Sequence, residues 1–491
     1  MKPIYRLIQS MSMSEKRYFK TYSKTHIIGK QNKYYILFDL LTKQELYDEK
    51  KLIDNLKAYH YEIKYLSADF NYLYRAVLKS LNSFNRTKTL NLIIKENLTS
   101  IEILFFKGLY KDALSLIKKT KKKLNVIQND VLMLDLLKWE KKCIGYTKGL
   151  DEAKRVNENL NIYIERISTT KQLTALYYKT YEYKLNVGKL SKSKLKSKLN
   201  KLITHKALKN FDSLVSIDAK MFFLLSYVHY YELVDDSKNE LIYIEKLIDI
   251  LDSNQNFFFN YPMDYIAIYN KYLDILKFKS EALFFNAICT IKEFPKKVTL
   301  QKASIKERVT FHTKYFTIQH YLYHKKDKQV LKEVLKFELF LKQKKFGLEN
   351  FYLVRAYYLI AQFYFINANF SKALKTINTI LNEFNFNVSL FFSERAKVLN
   401  FMIHYELDNI SYAKNLYKKL IKKIRFVSVE KDIINNINNC LIDQNSKFDL
   451  NLKNHTNKIN SNNDRDLVII NKLYSDYLAE KLETSKPNLN D

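Results

Sequence analysis

The sequence predicts an all-α protein built from about eight helix-turn-helix pairs that follow a helical N-terminal region. Only 6 glycines and 4 prolines occur among 491 residues, although strands and loops need both residue types at their turns. Residues 354–384 have the spacing of two amphipathic helices joined by a short turn, with small Ala361 and Ala373 where the helices would touch. A small or apolar residue also recurs every 40 to 48 residues, as expected when helix pairs stack.

Residues 1–95 have the pattern of a small helical bundle that caps the repeats. Apolar residues recur at three- and four-residue spacing in 33–44, 47–66 and 69–84, and Ser14 is the expected N-cap of a short preceding helix. Short helices with a basic flank can also form a helix-turn-helix that reads DNA. The linkers lack the usual glycine of that motif, so the packed cap is the favoured interpretation.

Residues 96–440 are predicted to contain the helix pairs. The expected anchors of the successive second helices are Ala113, Ala153, Ser193, Leu241, Ala282, Val330, Ala373 and Ala413. Residues 441–465 are rich in Asn and poor in large apolar side chains, which predicts a flexible linker. Residues 466–485 return to helical spacing and predict a C-terminal amphipathic helix, which docks back as a cap or docks on a partner. Capping is favoured, because the open end of a repeat array is apolar.

The formal net charge of +32 has two interpretations. Lysine runs at 118–123, 189–201 and 418–425 could follow a phosphate backbone or an anionic membrane surface, or they could be solvated helix faces. Only 11 of the 83 basic residues are Arg, the residue whose planar fork suits specific base recognition. A basic regulator associated with nucleic acid is therefore the alternative function, and solvated faces are the favoured interpretation.

The remaining composition predicts a soluble, cytoplasmic protein. Cys143, Cys289 and Cys440 are far apart and form no CxxC pair, as expected of thiols in a reducing compartment. The N-terminus lacks the apolar stretch of a signal peptide. The most apolar windows are too short to cross a bilayer, so no transmembrane segment is predicted.

No sequence motif predicts catalysis or a cofactor. The chain contains no Gly-rich phosphate loop, GxGxxG, GxSxG or HExxH. His320 and His324 are four residues apart on one helical face, with His312 two turns earlier. A metal site needs a third ligand and an oriented second shell, and no acidic residue lies at helical spacing between the histidines. A chance pairing is favoured over a metal site.

One stretch supports a family resemblance. The large, small and aromatic positions of a tetratricopeptide repeat are occupied, in order, by Tyr357, the pair Ile360-Ala361, Tyr364, Phe370 and Ala373. The stretch resembles that family, whose repeat has about 34 residues, so the longer intervals here indicate longer helices. The resemblance implies a superhelical α-solenoid with a concave surface that holds a peptide or a partner protein.

The family register also implies which side chains line that surface. They are His312, Tyr315, Gln319 and Leu322 in one repeat, Arg355, Tyr358, Gln362 and Phe365 in the next, and Arg395, Val398, Met402 and Tyr405 in the third. Arg and Gln stacked along a groove suit a carboxylate or a peptide backbone. The alternative is that Arg355 and Arg395 begin their helices and lie in solvent. The expected function is a non-enzymatic scaffold or adaptor that binds a protein or peptide.

Overall fold

The computed structural model describes residues 2–24, 33–185, 192–254, 261–298, 302–343, 348–384, 390–423, 434–439, 441 and 477. Every regular element in these ranges is a helix, which confirms the all-α prediction. The chain divides into two compact units, and each is described by itself. Unit 1 comprises Met1–Leu173, Asn210–Lys220 and Asn254–Tyr261, and unit 2 comprises Thr174–Lys209, Met221–Ser253 and Pro262–Asp491.

Unit 1 begins with a bundle in which the first three helices pack against the fifth. Its helices are α1 Pro3–Ser10, α2 Met13–Lys24, α3 Lys33–Lys43, α4 Glu49–Ala58, α5 Leu66–Asn85, α6 Leu90–Phe106, α7 Tyr110–Ile127, α8 Asp130–Thr147 and the first part of α9 Leu150–Leu185. The fully buried rings of Phe19 and Phe38 meet with centroids 4.3 Å apart in the bundle core. A second core joins α6, α7, α8 and α9 through buried aliphatic side chains.

Two details of the N-terminal prediction were wrong. The cap of α2 is Ser12 and not Ser14, because the Ser12 hydroxyl accepts the Glu15 backbone N–H while the Glu15 carboxylate accepts the Ser12 N–H at 2.8 Å. This reciprocal pair is a capping box. The predicted continuous segment 47–66 is also interrupted. His60 has φ 53° and ends α4, and only a short 3₁₀ turn, Ile63–Tyr65, precedes α5.

The helices of unit 2 are the rest of α9, α10 Lys192–Ile203, most of α11 Ile217–Leu233, α12 Ser237–Asp252, α13 Pro262–Leu276, α14 Glu281–Lys297, α15 Lys302–Tyr323, α16 Asp327–Gln343, α17 Asn350–Ile366, α18 Phe370–Glu383, α19 Leu390–Glu406 and α20 Ile410–Lys423. In unit 2, helices pack on their chain neighbours from α12 to α16 and again from α17 to α20. The alternate helices α13, α15, α17 and α19 also contact one another in that order. Ala361 and Ala373 are fully buried where α17 and α18 pack, as the sequence predicts.

The predicted anchor residues are not all in the core. Those that are buried are Ala113, Ala153, Val330, Ala373 and Ala413. Ala282 is exposed and Leu241 is only half-buried, so these two predictions were wrong, and the side chain of the predicted anchor Ser193 is outside what the structure describes. Ala282 lies in the first turn of α14, where Phe284 and Ala287 face the core instead. In α12 the core positions are Glu240 and Ile244, which moves Leu241 off the buried face.

Five helix pairs are closed by the same turn. In each, one residue adopts a left-handed backbone conformation at the end of the first helix: Gly108, Asp235, Lys325, Ala368 and Asp408. After α17, the Asn369 N–H donates to the Tyr364 carbonyl at 2.9 Å and the Ala368 N–H to the Phe365 carbonyl at 3.1 Å. This Schellman pattern satisfies the last carbonyls of the helix, so three residues suffice to reverse the chain.

Replacing Ala368 with Gly is expected to raise the free energy of unfolding by about 0.5–1 kcal/mol, because Ala is strained at φ 50° and Gly is not. Ala368 is exposed, so the change removes no packing. Urea unfolding followed by circular dichroism measures the effect. The matched control is Ala267→Gly, at an exposed position inside α13, where a loss of about 1 kcal/mol is expected. Equal losses in both variants would contradict the prediction.

Candidate functional site

The residues predicted to line a groove lie on α15, α17 and α19, the helices that contact one another along unit 2. Arg355 joins all three helices. Its guanidinium carbon lies 5.2 Å from the ring centroid of Tyr315, 5.5 Å from that of Phe351 and 5.3 Å from that of Phe392. A cation packed against aromatic faces in this way is attracted by their electron density. The structure therefore brings the first two predicted sets of residues together.

Most of the predicted side chains are buried. The half-buried members are Leu322, Arg355 and Tyr405, and the buried members are His312, Tyr315, Gln319, Tyr358, Gln362, Phe365, Arg395, Val398 and Met402. Arg395 is only 4% exposed, so the alternative in which it begins its helix in open solvent was wrong. The more accessible members of this face are therefore Leu322, Arg355 and Tyr405. Its role in binding a partner stays a prediction.

Tyr477 lies on the same face, 71 residues after Glu406 in the chain. Its ring centroid is 5.3 Å from that of Phe365, and its hydroxyl donates to the Glu406 carboxylate at 2.6 Å. The Tyr477 side chain is 8% exposed. The remainder of the predicted C-terminal helix 466–485 lies outside the described residues, as does the predicted linker 441–465 apart from Leu441. The α17–α19 face thus accepts a tyrosine from a distant part of the chain.

A buried polar network fixes Gln319 at the edge of this face. The Lys277 ammonium, which is completely buried, donates to Asp274 Oδ1 at 2.7 Å and to Gln319 Oε1 at 2.9 Å. Gln319 Nε2 in turn donates to the Tyr315 hydroxyl at 3.0 Å. Burying an ammonium group is costly unless it is paired and hydrogen-bonded, and here both conditions are met. Gln319 is therefore committed to holding α13 against α15.

His320 lies in α15 and His324 directly follows that helix, and the rings of both contact neighbouring rings. His320 Nδ1 lies 2.7 Å from the Lys277 carbonyl oxygen, and its ring stacks on Phe284 with centroids 4.5 Å apart. The ring of His324 lies 4.4 Å from that of His320. Among the described residues, no three or more His, Cys, Asp or Glu side chains form a group that could hold a metal ion. Cys143 is buried and Cys289 exposed, whereas Cys440 lies outside the described residues.

His312 is neutral over most of the pH range. Burial and the positive charges of Arg355 and Arg308 together lower its pKa to about 3, against the opposing effect of Glu349. Arg308 holds Glu349 through two hydrogen bonds of 2.9 and 2.7 Å, and this pairing holds the pKa of the Glu349 carboxyl below its usual range. The His312 ring packs edge-on against Tyr352 at 4.8 Å. Its surroundings are those of a packed neutral ring.

Where the lysine runs are described, they occupy solvent faces. In α7, Thr120 and Leu124 face the core, while Lys118 and Lys119 are exposed. In α10, Leu199 is buried between exposed lysines. Residues 189–191, 424 and 425 of the other predicted runs lie outside the described residues. In α7 and α10, the described lysines of these runs therefore lie outside the core, and Lys198 lies 5.8 Å from the ring centroid of Tyr183.

Sequence reasoning missed Phe392, Glu406 and Tyr477 as parts of this face. Glu406 closes α19 one residue after Tyr405, so helical spacing could have placed it near the predicted set. Nothing in the local pattern of α19 indicates which distant residue donates a hydrogen bond to the Glu406 carboxylate.

No described helix combines the length and the apolar composition that a membrane crossing requires. No protein-family model, no curated protein and no solved structure matches this chain.

Proposed function

We propose that this chain is a non-enzymatic scaffold or adaptor that binds a segment of a partner protein on the α17–α19 face. The observation that carries the proposal is Tyr477, which contacts Phe365 with its ring and Glu406 with its hydroxyl. A face that buries a tyrosine from a distant part of its own chain has the shape and chemistry to bury one from another chain. Aromatic anchors with a polar tip are common at protein interfaces because they combine apolar area with one directed hydrogen bond.

We also propose that the helix pairs of unit 2 form a solenoid similar to tetratricopeptide repeats. The contacts between alternate helices α13, α15, α17 and α19 support this arrangement, because first helices of consecutive repeats are neighbours in such folds. The repeated Schellman turn supports it as well, since the same connection joins the two helices within several pairs. Under this proposal, the first helices line the surface that receives the partner.

The chemistry of the Tyr477 contact specifies the kind of partner segment. Residues 466–485 place Leu467, Ile470, Leu473 and Tyr477 at three- and four-residue spacing, the pattern of an amphipathic helix. We propose that the partner presents a similar helix whose tyrosine takes the place of Tyr477. Helix-in-groove recognition of this kind uses a few anchors on one face of the bound helix. Glu406 would select the phenolic hydroxyl over a plain Phe ring.

The test measures binding of a fluorescent peptide with the sequence of residues 466–485 to the full chain. Wild-type protein is expected to bind weakly, because its own Tyr477 competes at high effective concentration. The Tyr477→Ala chain is expected to bind at least about tenfold more tightly, since the intramolecular competitor has lost its anchor. Adding Phe365→Ala to that variant removes the opposing ring and is expected to abolish the gain.

Two matched controls make the result specific. Leu339→Ala changes an exposed apolar residue of α16 and is expected to leave peptide binding unchanged. A peptide with Phe in place of Tyr477 is expected to bind the Tyr477→Ala chain more weakly than the Tyr peptide does. The two peptides are expected to bind equally well once Glu406 is changed to Met, which has no oxygen acceptor for the phenolic hydroxyl. Circular dichroism confirms that each variant is folded. Peptide binding that is equal across wild type, Tyr477→Ala and the Phe365→Ala double variant would overturn the proposed function.

A further inference from the structure

A second site candidate lies on α14, α15 and α16, away from the residues that contact Tyr477. Side chains of these three helices line an open cleft of about 400 Å³. That volume is within the range of pockets that hold small molecules in proteins. α15 contributes a stripe at three- and four-residue spacing that includes Lys306, Thr310, Lys314, Thr317 and Tyr321. His312 and Gln319 lie on other faces of α15, so the cleft does not share the partner-binding side chains.

The cleft carries an excess of positive charge. Its lining includes Lys292, Lys306 and Lys314 but only one carboxylate, that of Glu333. Glu333 is already paired with Lys336 at 2.8 Å, and its other oxygen lies 3.9 Å from Lys314. Within the part of the chain that the structure describes, neither Lys292 nor Lys306 has a carboxylate within 4.0 Å. Two ammonium groups at the cleft are therefore available to an anion.

Lys314 is held in this cationic environment at partial burial. Burial is the largest cause that lowers its pKa, Glu333 opposes the change, and the positive charges of Lys336 and Lys292 lower the pKa further. A bound anion would offset both the burial and the repulsion, because an opposite charge nearby favours the charged ammonium. The uncompensated charge of the free cleft is thus a source of binding energy for an anion.

The walls of the cleft combine this charge with apolar surface. Phe285 and Pro295 of α14 and Val309 of α15 contribute rings and a branched side chain. Thr310 and Thr317 donate their hydroxyl hydrogens to the carbonyls of Lys306 and Thr313, each at 2.7 Å. Hydrogen bonds to a ligand would therefore come from the lysines and the Tyr321 hydroxyl. A ligand that matches these walls has a compact anionic part and an apolar part.

We propose that this cleft binds a small organic phosphate. The ammonium groups of Lys292, Lys306 and Lys314 contact its phosphate oxygens, and Phe285, Pro295 and Val309 contact its apolar portion. Lysine binds phosphate as a mobile point charge and needs no fixed fork geometry, which suits a cleft whose cations lie on two helices.

Isothermal titration calorimetry on the full chain tests the proposal with three probes: ADP, inorganic pyrophosphate and adenosine. ADP is expected to bind with one-to-one stoichiometry, pyrophosphate more weakly, and adenosine without measurable heat. The double variant Lys292→Gln, Lys314→Gln is expected to weaken ADP binding at least tenfold. The control Lys328→Gln, Lys332→Gln removes the same charge from exposed positions of α16 outside the cleft, and is expected to change the affinity less than twofold.

Each other outcome overturns a stated part of the proposal. Equal weakening by the two double variants would show that ADP follows net charge and not the cleft. Equal affinities for ADP and pyrophosphate would remove the role of the apolar wall and make inorganic phosphate the ligand. Absence of saturable ADP binding by a folded wild-type chain would remove the site altogether. None of these measurements depends on the peptide-binding result, so the two proposals fail independently.

Discussion

Replacing Asp274 with Ala is expected to lower the free energy of unfolding by about 3 kcal/mol, because it leaves a buried ammonium without its counter-ion. Lys277 is completely buried and donates to Asp274 at 2.7 Å. The only other hydrogen-bond partner of the Lys277 ammonium among the described residues is the neutral amide of Gln319. A neutral amide oxygen offsets less of the cost of burying the charge than a carboxylate does. Urea unfolding followed by circular dichroism measures the loss.

The informative comparison is Lys277→Met, which removes the buried charge and keeps a similar volume. Its expected cost is below about 1.5 kcal/mol, because apolar replacement of a buried charged partner is far less destabilising than breaking the pair. Asp274 is 18% exposed in its side chain, so water can solvate the carboxylate that remains. If Lys277→Met proves as costly as Asp274→Ala, the network is stabilised by packing and the electrostatic explanation fails.

Acid is expected to destabilise the wild-type chain through His312 by about 1.4 kcal/mol for each pH unit between pH 6.5 and about 3. The unfolded chain binds a proton at this histidine near pH 6.5, whereas the folded chain, with a pKa of about 3, does not. The unfolded state therefore holds the extra proton in that window, so stability rises with pH across it. The stabilisation is fully present above pH 6.5 and is lost progressively as the pH falls.

The variant His312→Gln isolates this contribution, because glutamine does not titrate. Its absolute stability is expected to be lower, but its stability is expected to fall less steeply than that of wild type between pH 6.5 and pH 4. Urea unfolding at several pH values gives both slopes. His324→Gln is the matched control, since His324 is an exposed histidine of the same chain segment. The same pH dependence in wild type and His312→Gln would refute the assignment.

The candidate site could be predicted only in part from the sequence. Helical spacing and the family resemblance placed His312, Gln319, Arg355, Phe365 and Arg395 on three neighbouring helices, and the structure brings these helices into contact. Spacing along one helix identifies which residues share a face of that helix. It does not show whether that face is open to solvent as a groove or is covered by side chains from other helices. The burial of most of these side chains, and the contact of Tyr477 with Phe365, depend on residues far apart in sequence.

The conformation of the turn residues could also be predicted only in part from the sequence. The scarcity of glycine predicts long helices with short connections, but it suggests few left-handed residues. The structure places Lys325, Ala368 and Asp408 in that conformation. The hydrogen bonds of the Schellman turn and the packing of the flanking helices offset the strain at these positions. Because that compensation comes from the assembled pair of helices, no local residue preference indicates it.

The sequence by itself determined the helices of this protein, the tight packing at Ala361 and Ala373, and the brevity of the turns. The physical reason is local: a period near 3.6 residues decides which side of a helix is apolar, and small residues decide where two helices can approach. Only the tertiary structure decided that Lys277 is buried beside Asp274, that Tyr477 contacts Glu406, and that three lysines share a cleft. Lys277 and Asp274 are close in sequence, but Lys277 is buried against Gln319 of α15, and the other two features also join residues from separate segments of the chain. Their energies arise only when folding removes water and brings the charges together.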